Sequence, residues 1–205
     1  MYDRIIRSKR KTLGLEVREN AEVILRLPWR ARESDIKRFL RKNAEWLERA
    51  KKKILERQKN IPELEFRKEA YVPYLGASYP LKCLLHEKKE GKEAFVAWLK
   101  KEAKRICESR VALYAGKAEV ECTGVRISSA KKRWGSCASP GRLCFAYRLV
   151  LAPLWVLDYV VAHEVSHLLH KNHGKRFWKK VEVLYPKYKN ARTWLHTHGH
   201  LLNVV

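Results

Sequence analysis

Alternating apolar positions near the N-terminus predict a β-hairpin. Apolar residues occupy every second position over 13–17 and again over 23–27. A period of two places such side chains on one face of a strand. Residues 19–21 (Glu-Asn-Ala) can form the turn between the two segments. We therefore predict two paired strands with one buried face.

Two later segments have helical periodicity. After Ser34, one stripe recurs every three or four residues and consists of Ile36, Leu40, Asn43, Leu47, Ala50 and Ile54. In the second segment, 92–114, the recurring positions are Phe95, Leu99, Ala103, Ile106, Arg110 and Leu113. Gly116 is well placed to end this second helix as its C-cap. The sequence thus predicts two long helices.

Short strands and turns are predicted around these helices. Residues 59–90 carry three prolines and a glycine between short apolar pieces, which favours strands and turns. Two more strands are predicted over 120–127 and 143–149, separated by a turn-rich segment at 136–141. The charged run at 87–91 suggests a boundary between an N-terminal unit of hairpin, helix and short strands, 1–90, and a second unit, 91–205, packed together as one.

The most apolar helix is predicted to follow Pro153. Proline fits the first turn of a helix because its missing N–H would have no partner there. Residues 154–170 then read LWVLDYVVAHEVSHLLH, with apolar side chains on nearly every side. Because such a helix belongs in a protein core, we expect it to be central to the fold.

This helix contains an H-E-x-x-H motif, His163-Glu164-Val165-Ser166-His167. Residues four apart share a helix face, so both imidazoles can reach one ion while Glu164 points beside it toward a water molecule. Zinc suits imidazole, and catalytic zinc sites have three protein ligands. The motif alone arises by chance in about three sequences of this composition per hundred, so a third ligand has to support it.

His173 is the best candidate for the third ligand. It follows His167 by six residues. A turn at Lys171-Asn172 can bring it back, because asparagine tolerates the left-handed conformation that such a turn needs. With His173 included, the chance expectation falls to about one in a thousand.

Three weaker candidates for the third ligand stay open. Glu182 is the only acidic residue after His167. His170 shares the helix face of the motif, but in a straight helix it lies about 10.5 Å along the axis from His163. The remaining possibility is the C-terminal group of His196, His198 and His200.

A structural zinc site is the alternative interpretation of the motif. Such sites are usually closed by four ligands, often cysteines. The cysteines form no C-x-x-C pair and lie outside the local spacing; they are Cys83, Cys107, Cys122, Cys137 and Cys144. A hydrolase needs a base beside the metal, whereas a structural site does not need Glu164. We therefore predict a catalytic site with one Zn²⁺ per chain.

The chain carries a large positive charge. Its 45 Lys and Arg against 22 Asp and Glu give a net charge of +23. A charge of this size attracts polyanions through its summed field. We expect an anionic substrate or contact with nucleic acid through the basic surface, although no nucleic-acid-binding signature is recognisable.

Composition indicates a globular protein without membrane contact. Apolar residues make up 46% of the chain, which is too many for a disordered protein. The longest apolar stretch, 149–157, is broken by Pro153 and is far shorter than the ~20 residues of a membrane span. The charged start lacks the apolar core of a secretory signal, so we expect a cytoplasmic protein.

One set of residues matches the pattern of a known family. The matching residues are Lys132-Arg133-Trp134-Gly135-Ser136-Cys137, Pro153, Asp158-Tyr159-Val160-Val161, His163-Glu164, His167, Asn172-His173-Gly174 and Phe177-Trp178. The match extends upstream to 7–13 and 74–76. On these residues the chain resembles the YgjP-like metallopeptidases, small zincins related to the SprT-like group.

The resemblance implies an α+β zincin-like fold with a twisted β-sheet over the H-E-x-x-H helix. It also implies metal ligation by His163, His167 and His173, with Glu164 as the catalytic base. The segment Arg133-Trp134-Gly135-Ser136 resembles the family's loop at the cleft and is a candidate substrate rim, although packing and a tight turn are equally consistent with it. Phe177-Trp178 is expected to pack beneath the metal helix.

Three functions are consistent with these features. The leading hypothesis is a zinc-dependent metallopeptidase in which Glu164 activates the attacking water. In the second, the same site hydrolyses the phosphoanhydride of a nucleoside triphosphate, with Lys and Arg holding the phosphates. The third is a nucleic-acid-associated binding protein with an incidental zinc.

Overall fold

The computed structural model describes residues 2–18, 20–85 and 91–205. Contacts divide the chain into two compact units, Met1–Pro62 and Glu63–Val205. The charged run predicted to separate two domains falls almost entirely on 86–90, outside the described residues, so a boundary there stays a prediction. Helices and small sheets occur together, which confirms the α+β class.

The first unit contains a three-stranded sheet. Its strands are β1 (Arg4–Ser8), β2 (Gly14–Val17) and β3 (Val23–Pro28), in the order β1-β3-β2. The antiparallel pairing of β2 with β3 confirms the predicted hairpin. One residue of its predicted turn, Glu19, lies outside the described residues. The pattern of alternating apolar residues did not predict β1, which pairs in parallel with β3. The central β3 is buried on both faces, because Ile24 is as inaccessible as Val23 and Leu25.

The long helix predicted after Ser34 is interrupted. The structure has α1 (Glu33–Lys42) and α2 (Ala44–Lys59), with Asn43 between them. The Asn43 side-chain amide donates a hydrogen bond to the Phe39 carbonyl at 2.8 Å. Asparagine competes for helix backbone groups in this way, and its periodic position concealed the break.

The second unit begins with a hairpin whose turn packs against Pro153, the residue that precedes the apolar helix. Strands β4 (Tyr71–Tyr74) and β5 (Ala77–Pro80) are antiparallel, as the proline-rich pattern suggests, and the short α3 (Leu81–Leu84) follows. The turn residues Leu75 and Gly76 both have positive φ. A Cβ on Gly76 would come within 2.7 Å of the Pro153 Cα, so only glycine allows this close approach.

The helix α4 (Gly91–Ala118) is longer than its periodicity predicts. It continues past Gly116, which is therefore not its C-cap, and ends where Glu119 takes a positive φ. Buried Ala115 and Ala118 extend the apolar face over this last turn, so packing outweighs the low helix propensity of glycine.

A second three-stranded sheet follows. Its strands are β6 (Gly124–Ser128), β7 (Gly135–Ala138) and β8 (Arg142–Ala146), in the order β6-β8-β7, and a 3₁₀ helix spans Tyr147–Leu151. The predicted turn over 136–141 is therefore partly wrong, because its first half belongs to β7. Glycine, serine and alanine have weak strand preferences, and pairing with β8 decides the conformation here.

The apolar helix α5 (Leu154–Leu169) lies in the core of this unit, as predicted. Pro153 precedes it, and Val156, Leu157 and Val161 are fully buried. Arg110 of α4 forms a two-pronged ion pair with buried Asp158, with one N–O distance of 2.7 Å. The second unit closes with α6 (Lys175–Leu184), α7 (Tyr188–His198) and a 3₁₀ helix at Gly199–Leu202.

All five cysteines are free. Within the described part of the chain, no helix is long and apolar enough to cross a membrane.

Candidate metal centre

Three histidines converge at the end of α5. His163 and His167 lie one turn apart on that helix, and His173 lies in the loop before α6. The Nε2 atom of His173 is 3.1 Å from Nε2 of His163 and 3.1 Å from Nε2 of His167. One nitrogen from each ring lies within 4.8 Å of the others.

The chain turns back to bring His173 to the helix. The helix ends at Leu169, and His170 takes an extended conformation while its N–H still donates to the Ser166 carbonyl. The His170 carbonyl lies 3.0 Å from Nδ1 of His167. A proton on Nδ1 satisfies this contact, so Nε2 of His167 carries a lone pair directed at the other two rings.

The three rings suit a divalent cation. A tetrahedral zinc ion with bonds of about 2.1 Å separates its nitrogen ligands by about 3.4 Å, close to the 3.1 Å distances found here. Burial, followed by the charges of His167 and His173, lowers the pKa of His163 to about 3. Burial also lowers the pKa of His167. Both histidines are therefore neutral at physiological pH, which is the form that binds metal.

Aromatic rings of α6 support the histidines. Phe177 is fully buried, and its ring centroid lies 4.4–4.8 Å from all three imidazoles. Trp178 stacks on His173 at 5.9 Å. The prediction that this pair packs against the metal helix is confirmed, and the contact is made to the histidine rings themselves.

Glu164 lies in a buried position beside the histidines. The residue is only 5% exposed, and its Oε2 atom has no hydrogen-bond partner among the described residues. Burial raises the pKa of its carboxyl to about 7, while the charge of Arg133 acts in the opposite direction. A carboxylate with a pKa near 7 is suited to accept and release a proton at neutral pH.

Strand β7 passes directly over Glu164. A Cβ atom added to Gly135 would lie 2.6 Å from both Cγ and Oε1 of Glu164. Real Cβ atoms do not approach other atoms this closely, so the absence of a side chain at Gly135 allows the strand and the carboxylate to meet.

The other residues of the predicted substrate rim have different surroundings. Arg133 is exposed. Trp134 is half-buried and packs against the core and against Gly199. Ser136 pairs with Cys144 in the sheet. Substrate contact by Arg133, Trp134, Gly135 and Ser136 stays a prediction.

The weaker candidates for the third ligand lie apart from the three converging rings. His170 contributes its backbone carbonyl, and Glu182 is an exposed residue of α6. His198 stacks on Trp194 at 5.1 Å. Of the described residues, the group that could hold one ion contains only His163, His167 and His173.

Two neighbours of the histidines were assigned no role from the sequence. The ring of Tyr159, one turn before His163, lies 5.9 Å from that imidazole and is buried. Its position four residues before His163 is a signal that could have identified it. Arg192 of α7 lies over the Trp178 ring at 5.0 Å, and nothing in the local sequence indicates this contact.

Comparison with known proteins places the chain among the metallopeptidases. A protein-family model with the description "YgjP-like, metallopeptidase domain" matches the sequence over residues 11–93 and 84–198. The chain therefore belongs to the YgjP-like family.

Among solved structures, the chain is similar to the metallopeptidase zymogen of Pyrococcus abyssi abylysin, with 20% identity and a TM-score of 0.42. The similarity covers 44% of this chain and 92% of that one. A search of curated proteins found no match.

Proposed function

We propose that this chain is a zinc-dependent peptidase with a zincin-like arrangement, in which β7 lies over the metal-binding helix. The observation that carries the proposal is the convergence of three imidazole Nε2 atoms next to the buried carboxylate of Glu164. The candidate group offers three ligands and includes no cysteine. Three ligands favour a catalytic site over a structural one, which is usually closed by four.

His163, His167 and His173 would hold the ion. Bound zinc supplies a Lewis acid that polarises the substrate carbonyl and makes a water molecule more acidic. Glu164 accepts the proton of the attacking water and passes it to the departing amine, so one peptide bond is replaced by a carboxylate and an amine. Phe177 and Trp178 keep the imidazoles in place from the side of α6.

Metal removal tests this proposal. We expect one zinc per chain, loss of proteolysis on dialysis against a chelator, and recovery when zinc is returned. Metal analysis and cleavage of an unfolded acidic protein measure both effects. Release of pyrophosphate from a nucleoside triphosphate, absent in the Glu164→Gln variant, would replace the peptidase proposal with a pyrophosphatase. Tight DNA binding without any hydrolysis would favour the binding-protein hypothesis.

Gly135→Ala should reduce turnover without loss of zinc. The new methyl group cannot occupy its position unless Glu164 or β7 moves. A displacement of about 1 Å at a catalytic group lowers turnover by about 10²-fold. Steady-state kinetics together with metal analysis would show a fall in kcat at unchanged zinc content.

Gly116→Ala is the matched control for this change. A Cβ there meets nothing within 4 Å, and the residue lies inside α4. Alanine should therefore leave turnover unchanged and make the helix slightly more stable. Equal kcat values for the Gly135→Ala and Gly116→Ala variants would show that the close approach of β7 to Glu164 is unimportant.

A further inference from the structure

Three cationic side chains surround the histidines and Glu164. Lys171 lies in the loop between His167 and His173, and its Nζ is 3.8 Å from Sγ of Cys137 in β7. Arg192 lies over Trp178, whose ring stacks on His173. Arg133 lies two residues before Gly135, the residue that contacts Glu164. The three cations come from different segments: Arg133 precedes β7, Lys171 lies in the loop after α5, and Arg192 lies on α7.

These three cations form no ion pair with a carboxylate of the described residues. None of the ion pairs found among residues 2–18, 20–85 and 91–205 includes Arg133, Lys171 or Arg192. Lys171 follows His167 by four residues and precedes His173 by two, and Arg192 lies over the ring that stacks on His173. Both cations therefore lie beside the proposed reaction centre.

Arg192 lies over an aromatic ring. Its guanidinium carbon is 5.0 Å from the centre of the Trp178 ring, and that ring also stacks on His173 and on Tyr188. An arginine stacked on an aromatic ring keeps its N–H groups free at the edges, where they can grip a carboxylate with two parallel hydrogen bonds. A lysine has no comparable fork.

We infer that Arg192, with Lys171 and Arg133, selects polypeptide substrates that carry an Asp or Glu side chain close to the bond to be cut. The inference rests on the proposed peptidase function and adds the substrate class to it. These three cations indicate an acidic peptide more specifically than the net charge of the chain does. They lie close to the histidines, and they are not paired with carboxylates of the described residues.

Peptide binding tests the inference without depending on turnover. The probes are two fluorescent peptides of identical sequence except that one has Asp where the other has Asn. Anisotropy is measured with zinc-loaded Glu164→Gln protein at low and high salt. We expect about tenfold tighter binding of the Asp peptide at low salt, since hydrogen bonds to charged groups are worth at least this much, and a smaller preference at high salt.

Further variants, each introduced into the Glu164→Gln protein, test whether Arg192 causes this preference. Arg192→Gln should remove most of the preference for the Asp peptide, whereas Arg192→Lys should keep part of that preference because the charge remains. The charge-matched control is Lys101→Gln, an exposed residue of α4 outside the histidine cluster, which should keep the full preference. Equal binding of the two peptides, or an unchanged preference in Arg192→Gln, overturns the inference.

Cleavage assays with the same two peptides distinguish a failure of this inference from a failure of the proposed peptidase function. If wild-type protein cuts Asp and Asn peptides equally, the peptidase stands and the inference falls. If it cuts neither, the peptidase proposal falls, while a preference that depends on Arg192 still supports acidic-peptide binding. Stronger competition by ATP or single-stranded DNA than by the Asp peptide, lost in Arg192→Gln, would assign the cations to those anions and overturn the inference.

Discussion

The Glu164→Gln variant is expected to bind zinc as wild type does and to lose hydrolysis by about 10³-fold, the usual contribution of a general base. Glutamine has nearly the same shape as glutamate but cannot accept a proton at neutral pH. The three histidine rings do not depend on Glu164 for their positions, because Phe177, Trp178 and the His170 carbonyl hold them. Metal analysis and single-turnover cleavage of an unfolded protein measure the two effects separately.

The burial of Glu164 makes this variant informative. Its carboxyl lies under Gly135 with one oxygen unpaired among the described residues, and a neutral amide fits there without a new buried charge. The protein should therefore remain folded, and a circular dichroism melt serves as the control. A variant that keeps zinc and also keeps full activity would remove Glu164 from the mechanism.

Local sequence patterns predicted the parts of the site that lie on one element. The spacing of His163 and His167 requires only that α5 be a helix, and its apolar character and Pro153 made that prediction secure. His173 could be proposed because it follows His167 by only six residues. The left-handed conformation predicted for Asn172 is wrong, because among the described non-glycine residues only Ala21, Leu75 and Glu119 have a positive φ. The structure brings His173 to the other two rings, while ligation by all three stays a prediction.

These local patterns could not predict contacts between distant segments. The short strand that begins at Gly135 has weak strand propensity and exists through its pairing with β8. Its approach to Glu164 joins residues 29 positions apart, and no periodicity reports such a contact. Arg192 reaches Trp178 only because α7 packs next to α6, so its place near the histidines needed the structure.

Helix ends were the least predictable part of the fold. Asn43 occupied a position on the apolar stripe, yet its side chain closes α1 by bonding the Phe39 carbonyl. Gly116 looked like a terminator, yet buried Ala118 carries α4 onward. At Gly116, packing outweighs the propensity penalty of glycine, about 1 kcal/mol. At Asn43, a side-chain hydrogen bond to the backbone ends the helix despite the apolar periodicity.

The His173→Ala variant is expected to lose zinc affinity by more than about 100-fold, because removal of a ligand costs more than the 10- to 100-fold typical of residues that only orient ligands. His173 is the ring that approaches both others, at 3.1 Å in each case. Its loss leaves two imidazoles of one helix, which cannot complete a tetrahedral site. Competition with a chromogenic chelator measures the affinity.

The His170→Ala and Glu182→Ala variants are the matched controls. The contact of His170 with His167 is made by its backbone carbonyl, which alanine retains, so the orientation of His167 should survive. Glu182 is exposed on α6, and its removal should leave zinc affinity unchanged. X-ray absorption at the zinc edge should show three imidazole nitrogens near 2.1 Å, a distance typical of zinc–histidine bonds. A His173→Ala protein with wild-type affinity and the same imidazole count would mean that another residue is the third ligand.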